Sequence, residues 1–358
     1  MLMRRTAIRL GSAVLLASLA TAATATAGPS QSTELISRAA GGGTPDGAST
    51  NAVISGDRRF ARLIAFQSEA TNLVRGDTNR LTDVFAVKRS GSFGNNGSPW
   101  RGDDAVLLSA GLGGAPADGR SFGAAVSGDF RHPGSCVAFL SAATNLVAGD
   151  TNGHVDAFLV TSPGRAPRRV SPASMAADAD GISVSGDCSQ VSFTAGGRLY
   201  TSRSGAPGRA VRTKGSASEP SYAAGNSRAL VYTARGGVYL SQNGLKGGKL
   251  VARGGRNPAF NDLKRRTVTY EKTVGGTSQI GYHDIGKGER IISAKGGSRG
   301  NANSRNPVIG NSGFYVTFES DASNLGLDAA GQTGDGNSRP DVYLFTDSRD
   351  ITLVQSVE

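Results

Sequence analysis

The chain has 358 residues, 38% of them hydrophobic and 51 of them glycine, with 39 Lys and Arg against 28 Asp and Glu for a formal net charge of +11. Past the N-terminus no segment is apolar for long enough to span a membrane, and none keeps a helical period, which excludes a membrane bundle and a helical fold. The basic balance would suit nucleic acid, but no recognition motif accompanies it, so nucleic acid is not expected as a partner.

Residues 1–27 read as a secretory signal peptide. Arg4, Arg5 and Arg9 form its basic start, an apolar run continues through Leu19, and Ala25-Thr26-Ala27 offers a small-residue cleavage site before Gly28. The Arg4-Arg5 pair hints at the twin-arginine route, but the rest of that motif is poor and the general secretory route is expected. No cysteine follows the cleavage site, so no lipid anchor is expected. Residues 28–358 are expected to form one secreted, extracytoplasmic, monomeric domain.

One phrase then recurs six times: an aliphatic residue, a small or polar residue, an aromatic. It occurs as Ile64-Ala65-Phe66, Val137-Ala138-Phe139, Val191-Ser192-Phe193, Val231-Tyr232 after Leu230, Val268-Thr269-Tyr270 and Val316-Thr317-Phe318. Its period of two marks a strand with a buried face. Before each copy a short strand ends in a turn, as in Ser55-Gly56-Asp57, Ser127-Gly128-Asp129 and Ser185-Gly186-Asp187. Gly followed by Asp or Asn gives a hairpin its backbone freedom and local hydrogen bonds. After each copy come a third strand with its own aromatic (Phe85, Phe158, Tyr200, Tyr239, Tyr282, Tyr343) and a fourth, short strand.

The second-strand aromatics lie 73, 54, 39, 38 and 48 residues apart, so about 38 residues make one bare four-stranded unit and the excess is loop. A lone meander leaves a face and its edges unburied, and stacking such units around an axis removes that exposure. The expected fold is all-β, a six-bladed β-propeller of four-stranded antiparallel blades, closed by pairing of N- and C-terminal strands. Glu34-Leu35-Ile36-Ser37-Arg38 reads as the closing strand, in competition with the C-terminal strand near Ile351 to Val354.

Two features suggest sites. Three units share Asp-x-Asn-x-x-x-Asp between the second and third strands: Asp77, Asn79 and Asp83; Asp150, Asn152 and Asp156; Asp335, Asn337 and Asp341. Alternating oxygen ligands followed by a carboxylate fit a calcium loop that lacks its last acidic ligand. The same residues fit a self-capped loop, with Asp and Asn side chains bonded to turn N–H groups. Separately, residues 201–310 hold 19 basic and 5 acidic residues, densest at Lys264-Arg265-Arg266. That sector reads either as a surface for an anionic envelope polymer or as scattered solubilising charge. The two cysteines, Cys136 and Cys188, fall in neighbouring units, and in an oxidising compartment a disulfide is expected.

The Ser-Gly-Asp turns, the Val-Ala-Phe strands and the Ala-Thr-Asn-Leu-Val…Gly-Asp-Thr-Asn…Asp-Val-Phe stretches resemble TolB-like six-bladed β-propeller proteins with WD40-like (PD40) repeats, of the secreted actinobacterial type. The resemblance spans roughly residues 33–358. It implies a central channel and a binding function, often protein–protein. TolB itself has an α/β domain before its propeller, which this chain has no room for.

Catalysis has to be argued from residues, not from fold. Gly119-Arg120-Ser121-Phe122-Gly123 spells a nucleophile motif, but it is expected in a loop between units instead of at a strand-to-helix elbow. His132, His154 and His283 fall in different units, which does not suit a metal-dependent lyase. The leading expectation is a non-catalytic binding module contacting an envelope protein or anionic wall polymer through rim loops, with no cofactor unless calcium. A hydrolase or lyase acting in the central funnel is the alternative, and a purely structural surface element is a third. A funnel lined by convergent carboxylates or imidazoles would favour the enzyme, and one lined by Ser, Ala and Gly would favour binding.

Overall fold

The structure is a computed structural model, and it describes residues 35–57, 61–89, 102–242, 247–263, 265–310, 312–325, 339–347 and 351–354. The signal segment 1–27, Glu34, Lys264, Asp335 and Asn337 lie outside the described residues.

Six four-stranded antiparallel sheets follow one another along the chain, each with its strands in sequence order. Sheet I comprises Ser49–Ile54, Leu63–Ser68, Asp83–Lys88 and Val106–Leu107. Sheet II comprises Ser121–Val126, Val137–Ser141, Asp156–Val160 and Arg168–Arg169. Sheet III comprises Ala179–Val184, Gln190–Ala195, Arg198–Arg203 and Arg209–Val211. Sheet IV comprises Ser218–Ala223, Asn226–Ala234, Gly237–Ser241 and Lys249–Arg253. Sheet V comprises Gly255–Asn261, Thr267–Val274, Thr277–Asp284 and Gly288–Ile291. Sheet VI comprises Ser304–Ile309, Tyr315–Ser320, Asp341–Thr346 and Ile351–Val354. A two-stranded ribbon, Ala294–Lys295 with Ser298–Arg299, links sheets V and VI.

Alternation gives every sheet two unlike faces. One carries the second- and third-strand aromatics, paired across the strands and stacked, with ring centroids 5.8 Å apart for Phe66–Phe85 and 5.1 Å for Phe193–Tyr200. The other carries smaller aliphatics. The aromatic face of each sheet packs on the aliphatic face of the one before: Phe139 and Phe158 meet Leu63, Ala65, Val84 and Ala86 of sheet I. The same join recurs between II and III, III and IV, IV and V, and V and VI. The first strands of successive sheets therefore lie side by side.

Sheet V departs from the expected pattern. In the other sheets the third-strand aromatic stacks on the second-strand one, but the residue opposite Tyr270 is Gly281. A Cβ on Gly281 would lie 2.3 Å from the Tyr270 ring, so only glycine lets that ring lie flat. Tyr282 consequently faces sheet VI, against Phe345.

The closing strand is a correction. Among the described residues Leu35–Arg38 forms no strand, and sheet VI takes all four of its strands from residues 304–354. Ile36 instead packs on Phe66, Phe85 and Val87, the aromatic face of sheet I. Among the described residues no apolar cluster joins that face to sheet VI. Among the described residues five of the six large exposed apolar side chains lie at this seam, Leu35 and Ile54 on one side and Val308, Tyr315 and Val342 on the other; the sixth is Leu112. Ser121 also differs from expectation. It opens the first strand of sheet II, fully buried and bonded to Ser141 Oγ at 2.8 Å, so it presents no nucleophile.

Cys136 and Cys188 form a disulfide with a Cα–Cα distance of 6.1 Å, joining sheet II to the first turn of sheet III. It closes a loop of 52 residues, and chain entropy alone assigns such a cross-link about 4 kcal/mol. We expect the Cys136→Ala, Cys188→Ala double variant to lose about 2–4 kcal/mol in urea unfolding, and reductant to lower the wild-type midpoint but not the variant's.

Candidate functional site

The first strands of sheets II to VI enclose a cavity of about 260 Å³. Its wall is Ala125, Val126, Gly128, Ser183, Val184 and Gly186, continued by Ser221 to Ala224, Ala259, Phe260 and Pro307 to Ile309. None of these is a carboxylate, imidazole, thiol or amine. The wall offers small side chains, apolar surface and the inner edges of strands.

At one end of these strands the Ser-Gly-Asp turns are hydrogen-bonded to one another across sheets. Asp57 of sheet I accepts from Gly134 N of sheet II at 2.6 Å. Gly128 N donates to Gly186 O at 2.9 Å, joining sheets II and III. Asp129 reaches across to sheet IV, accepting from Gly225 N at 3.1 Å, while its other oxygen takes Arg131 N at 2.7 Å and His132 N at 2.9 Å. A Cβ at Gly186 would sit 2.1 Å from Asp129 Oδ2, so glycine is required there. Asn226 Nδ2 donates to Asp262 at 2.7 Å, and Asn261 Nδ2 to Gly310 O at 2.9 Å, continuing the seam to sheet VI. Asp187 is held at about 2: burial raises it, but hydrogen bonds from Ser227, Ser185 and Ser189 outweigh that.

The opposite mouth is shaped by bulges that the sequence reading missed. The first strands of sheets I, II, IV, V and VI each break register at a residue with positive φ: Asn51, Gly123, Glu219, Asn257 and Asn306. Glycine and asparagine tolerate this conformation, whereas glutamate does so rarely. At three of the five bulges a neighbouring sheet accepts the freed N–H: Gln67 takes Gly123 N at 3.3 Å, Glu219 takes Asn257 N at 2.6 Å, and Glu271 takes Asn306 N at 3.0 Å. Glu219-Pro220, Asn257-Pro258 and Asn306-Pro307 were the available signal, because proline inside a strand marks an edge or a bulge.

The Asp-Asn loops behave as self-capped structures in part. Asn79 Oδ1 accepts Leu81 N at 2.9 Å and its Nδ2 donates to Asp83 at 2.9 Å; Asn152 does the same for His154 N and Asp156. Asp83 and Asp156 are each bonded at 2.5 Å by a serine at the end of the fourth strand, Ser109 and Ser171. Asp341 holds the same register place, opposite Ser320. The preceding Ala-Thr-Asn is a clamp on the entry to the first strand. Thr71 N and Oγ1 both donate to Asp46 at 2.7 Å, and Thr144 N donates to Asp118 at 2.7 Å. Asn145 Nδ2 donates to Pro116 O at 2.8 Å.

Arg265 and Arg266 sit within ion pairs. Arg265 contacts Asp284 at 2.9 Å and Asp347 of sheet VI, and lies over the Phe314 ring at 5.0 Å. Arg266 pairs with Asp262 at 2.9 Å. Beside them, between sheets IV and V, a concavity of about 630 Å³ is lined in part by Lys249, Arg266 and His283.

No family model matches the sequence, and no curated protein matches it either. Among solved structures, the chain is similar to a protein assigned as TolB from Agrobacterium tumefaciens, at 13% identity over 64% of this chain and 79% of that one, with a TM-score of 0.43. It is also similar to the β-propeller domain of the Trilobed protease from Pyrococcus furiosus, at 9% identity over 85% and 82%, TM-score 0.47. A third is dipeptidyl peptidase 4 from Porphyromonas gingivalis, at 13% identity over 86% of this chain but only 45% of that one, TM-score 0.48. These neighbours include the TolB type that the residues resemble, and at such scores they assign neither activity nor partner.

Two outcomes follow from this geometry. Replacing the buried Asp129 by Ala strands the N–H groups of Arg131, His132 and Gly225, and should cost about 3 kcal/mol in urea unfolding. The Asp83 carboxyl is pushed up to about 6, chiefly by burial, with Ser109 and Asn79 opposing and Asp77 adding to the rise. It keeps its proton to higher pH folded than unfolded, so its contribution to stability grows as pH falls from about 6 towards 4. In calcium-free buffer the stability gained on mild acidification should therefore shrink in Asp83→Asn.

Proposed function

We propose that this chain is a secreted, non-catalytic binding module, a single domain over residues 28–358 that contacts another envelope protein or an anionic wall polymer. The observation that carries this reading is the channel wall, with its Ser, Ala, Gly and apolar lining. Such a surface recognises shape and backbone, and its Ser183, Ser221 and Tyr222 hydroxyls have no carboxylate, imidazole, thiol or amine beside them in the wall. Contacts would then come from the bulge-lined mouth and the rim loops. The disulfide fits an extracytoplasmic location. Anionic polymer would meet the concavity beside Lys249 and Arg266.

The competing reading is a hydrolase or lyase acting at the mouth, where Glu219 and Glu271 stand. Both carboxylates already accept bulge N–H groups, which favours a structural role for them.

The architecture that goes with binding is a closed ring of six blades. Sheet VI carries Tyr315, Thr317, Val342 and Leu344 where sheet I has Leu63, Ala65, Val84 and Ala86. Those positions fit the aromatic face of sheet I by the rule used at the other five joins. Closure would then be face-to-face, without strand exchange. Val342→Asp should cost about 2 kcal/mol or more if the seam closes in solution, and nothing measurable if Val342 stays in water.

Binding is tested by retention of purified anionic wall polymer and of surface proteins crosslinked to the chain on native cells. Polymer retention should weaken between low and high salt. Salt-insensitive or absent retention, together with no specific crosslink, would remove the reading.

A further inference from the structure

Sheets I and II meet the same electrostatic problem with different means. In each, the loop between second and third strands buries two aspartates six residues apart, Asp77 with Asp83 and Asp150 with Asp156. In sheet II the pair has a cation beside it from within the fold, although Asp150 Oδ2, like Asp77 Oδ1, is buried without a hydrogen-bond partner. Arg169 Nη1 lies 2.8 Å from Asp150 Oδ1 and 3.5 Å from Asp156 Oδ2. Arg169 stands opposite Phe158 in the strand register, and the residue opposite the equivalent Phe85 is Leu107. The position that supplies a guanidinium to one acid pair supplies a hydrocarbon to the other.

The sheet I pair has hydrogen-bond donors in Ser109 and Asn79 but no cation beside it among the described residues. Asp77 is only 6% exposed, and its Oδ1 is buried with no hydrogen-bond partner. Asp83 is fully buried, and its Oδ2 accepts only Asn79 Nδ2. That same Nδ2 also reaches Ala117 O at 3.0 Å, which brings a carbonyl oxygen to the edge of the pair. Asp46, nearby, adds negative charge. Two buried carboxylates that repel one another with no cation between them are unfavourable.

We propose that the Asp77–Asp83 loop of sheet I binds a hard divalent cation of the calcium type, at the place that the Arg169 guanidinium fills in sheet II. Asp77 Oδ1 and Asp83 Oδ2 are its charged ligands, with the Ala117 carbonyl and water completing an oxygen shell. No cluster of three His, Cys, Asp or Glu side chains exists among the described residues to hold a metal. The site is therefore of the weak kind found in extracellular modules, with a dissociation constant on the order of 10⁻⁴–10⁻³ M. The three loops, alike in sequence, are thereby separated. The first needs an external cation, the second carries its own, and the third has Asp335 and Asn337 outside the described residues. This inference stands independently of the binding-module reading.

The test is a reciprocal exchange in the full mature chain. Calcium titration, followed by calorimetry and by terbium luminescence, should reveal a site in the wild type, and millimolar calcium should raise the melting temperature by several degrees. Leu107→Arg should abolish binding and make the melting temperature indifferent to calcium. Arg169→Leu should add a second site. Asp77→Asn, which needs no new side chain to be accommodated, should weaken binding at least tenfold should Leu107→Arg not fold. The proposal is overturned if millimolar calcium leaves the wild-type melting temperature unchanged, or if binding persists in both Leu107→Arg and Asp77→Asn. It is equally overturned if acid replaces calcium, so that lowering pH stabilises the wild type and no metal binds, because the pair then holds a proton.

Discussion

The fold depends on one repeated contact, the packing of the aromatic face of each of sheets II to VI onto the aliphatic face of the sheet before it. Neither face could remain in water, and no sheet can bury its own. Each four-stranded unit is therefore stable only between two neighbours. The contact also sets direction. Because one face is aromatic and the other aliphatic, sheets can only add in one order, and the first strands are brought together around a common channel. At the one seam where this contact is not made, the exposed apolar residues gather, Ile54 at 59% and Val308 at 62%.

Once the first strands converge, their ends crowd. At one end the crowding is resolved by turn carboxylates that accept N–H groups from neighbouring sheets, with Asp129 spanning from sheet II to sheet IV. At the other end it is resolved by bulges that turn the strands outward and hand their freed N–H groups to Gln67, Glu219 and Glu271. The two ends thus differ in kind. One carries short polar side chains bonded across the turns, and the other a rim of longer ones.

Part of the basic charge in this protein is engaged within the fold. Arg265 and Arg290 both meet Asp347, tying sheets V and VI together. Arg305 engages Glu319 and Asp321, and Lys272 meets Glu289 at 2.6 Å. A run of basic residues in the sequence therefore does not translate directly into an open basic surface. The one acid pair that the fold does not balance stands out against this background.

Much was decided by the sequence alone. The period-two phrases, their aromatic endings and the Gly-Asp turns dictate strands, their number and their meander order, because alternation and turn chemistry are local properties. The disulfide between Cys136 and Cys188 was also legible, since both lie at strand ends in adjacent units. Other features were not. That Tyr282 faces sheet VI depends on the pairing register of Gly281 with Tyr270, and register is a property of two strands together. That Asp129 crosses to sheet IV, that Arg265 finds Asp347, and that Leu107 replaces Arg169 beside an acid pair all depend on which distant segments become neighbours. Leu35–Arg38 reads as a strand by pattern, but it has no partner edge, and Ile36 is drawn instead to the uncovered rings of Phe66 and Phe85. Local pattern fixes what each segment can be, and only the assembled sheets determine what it touches.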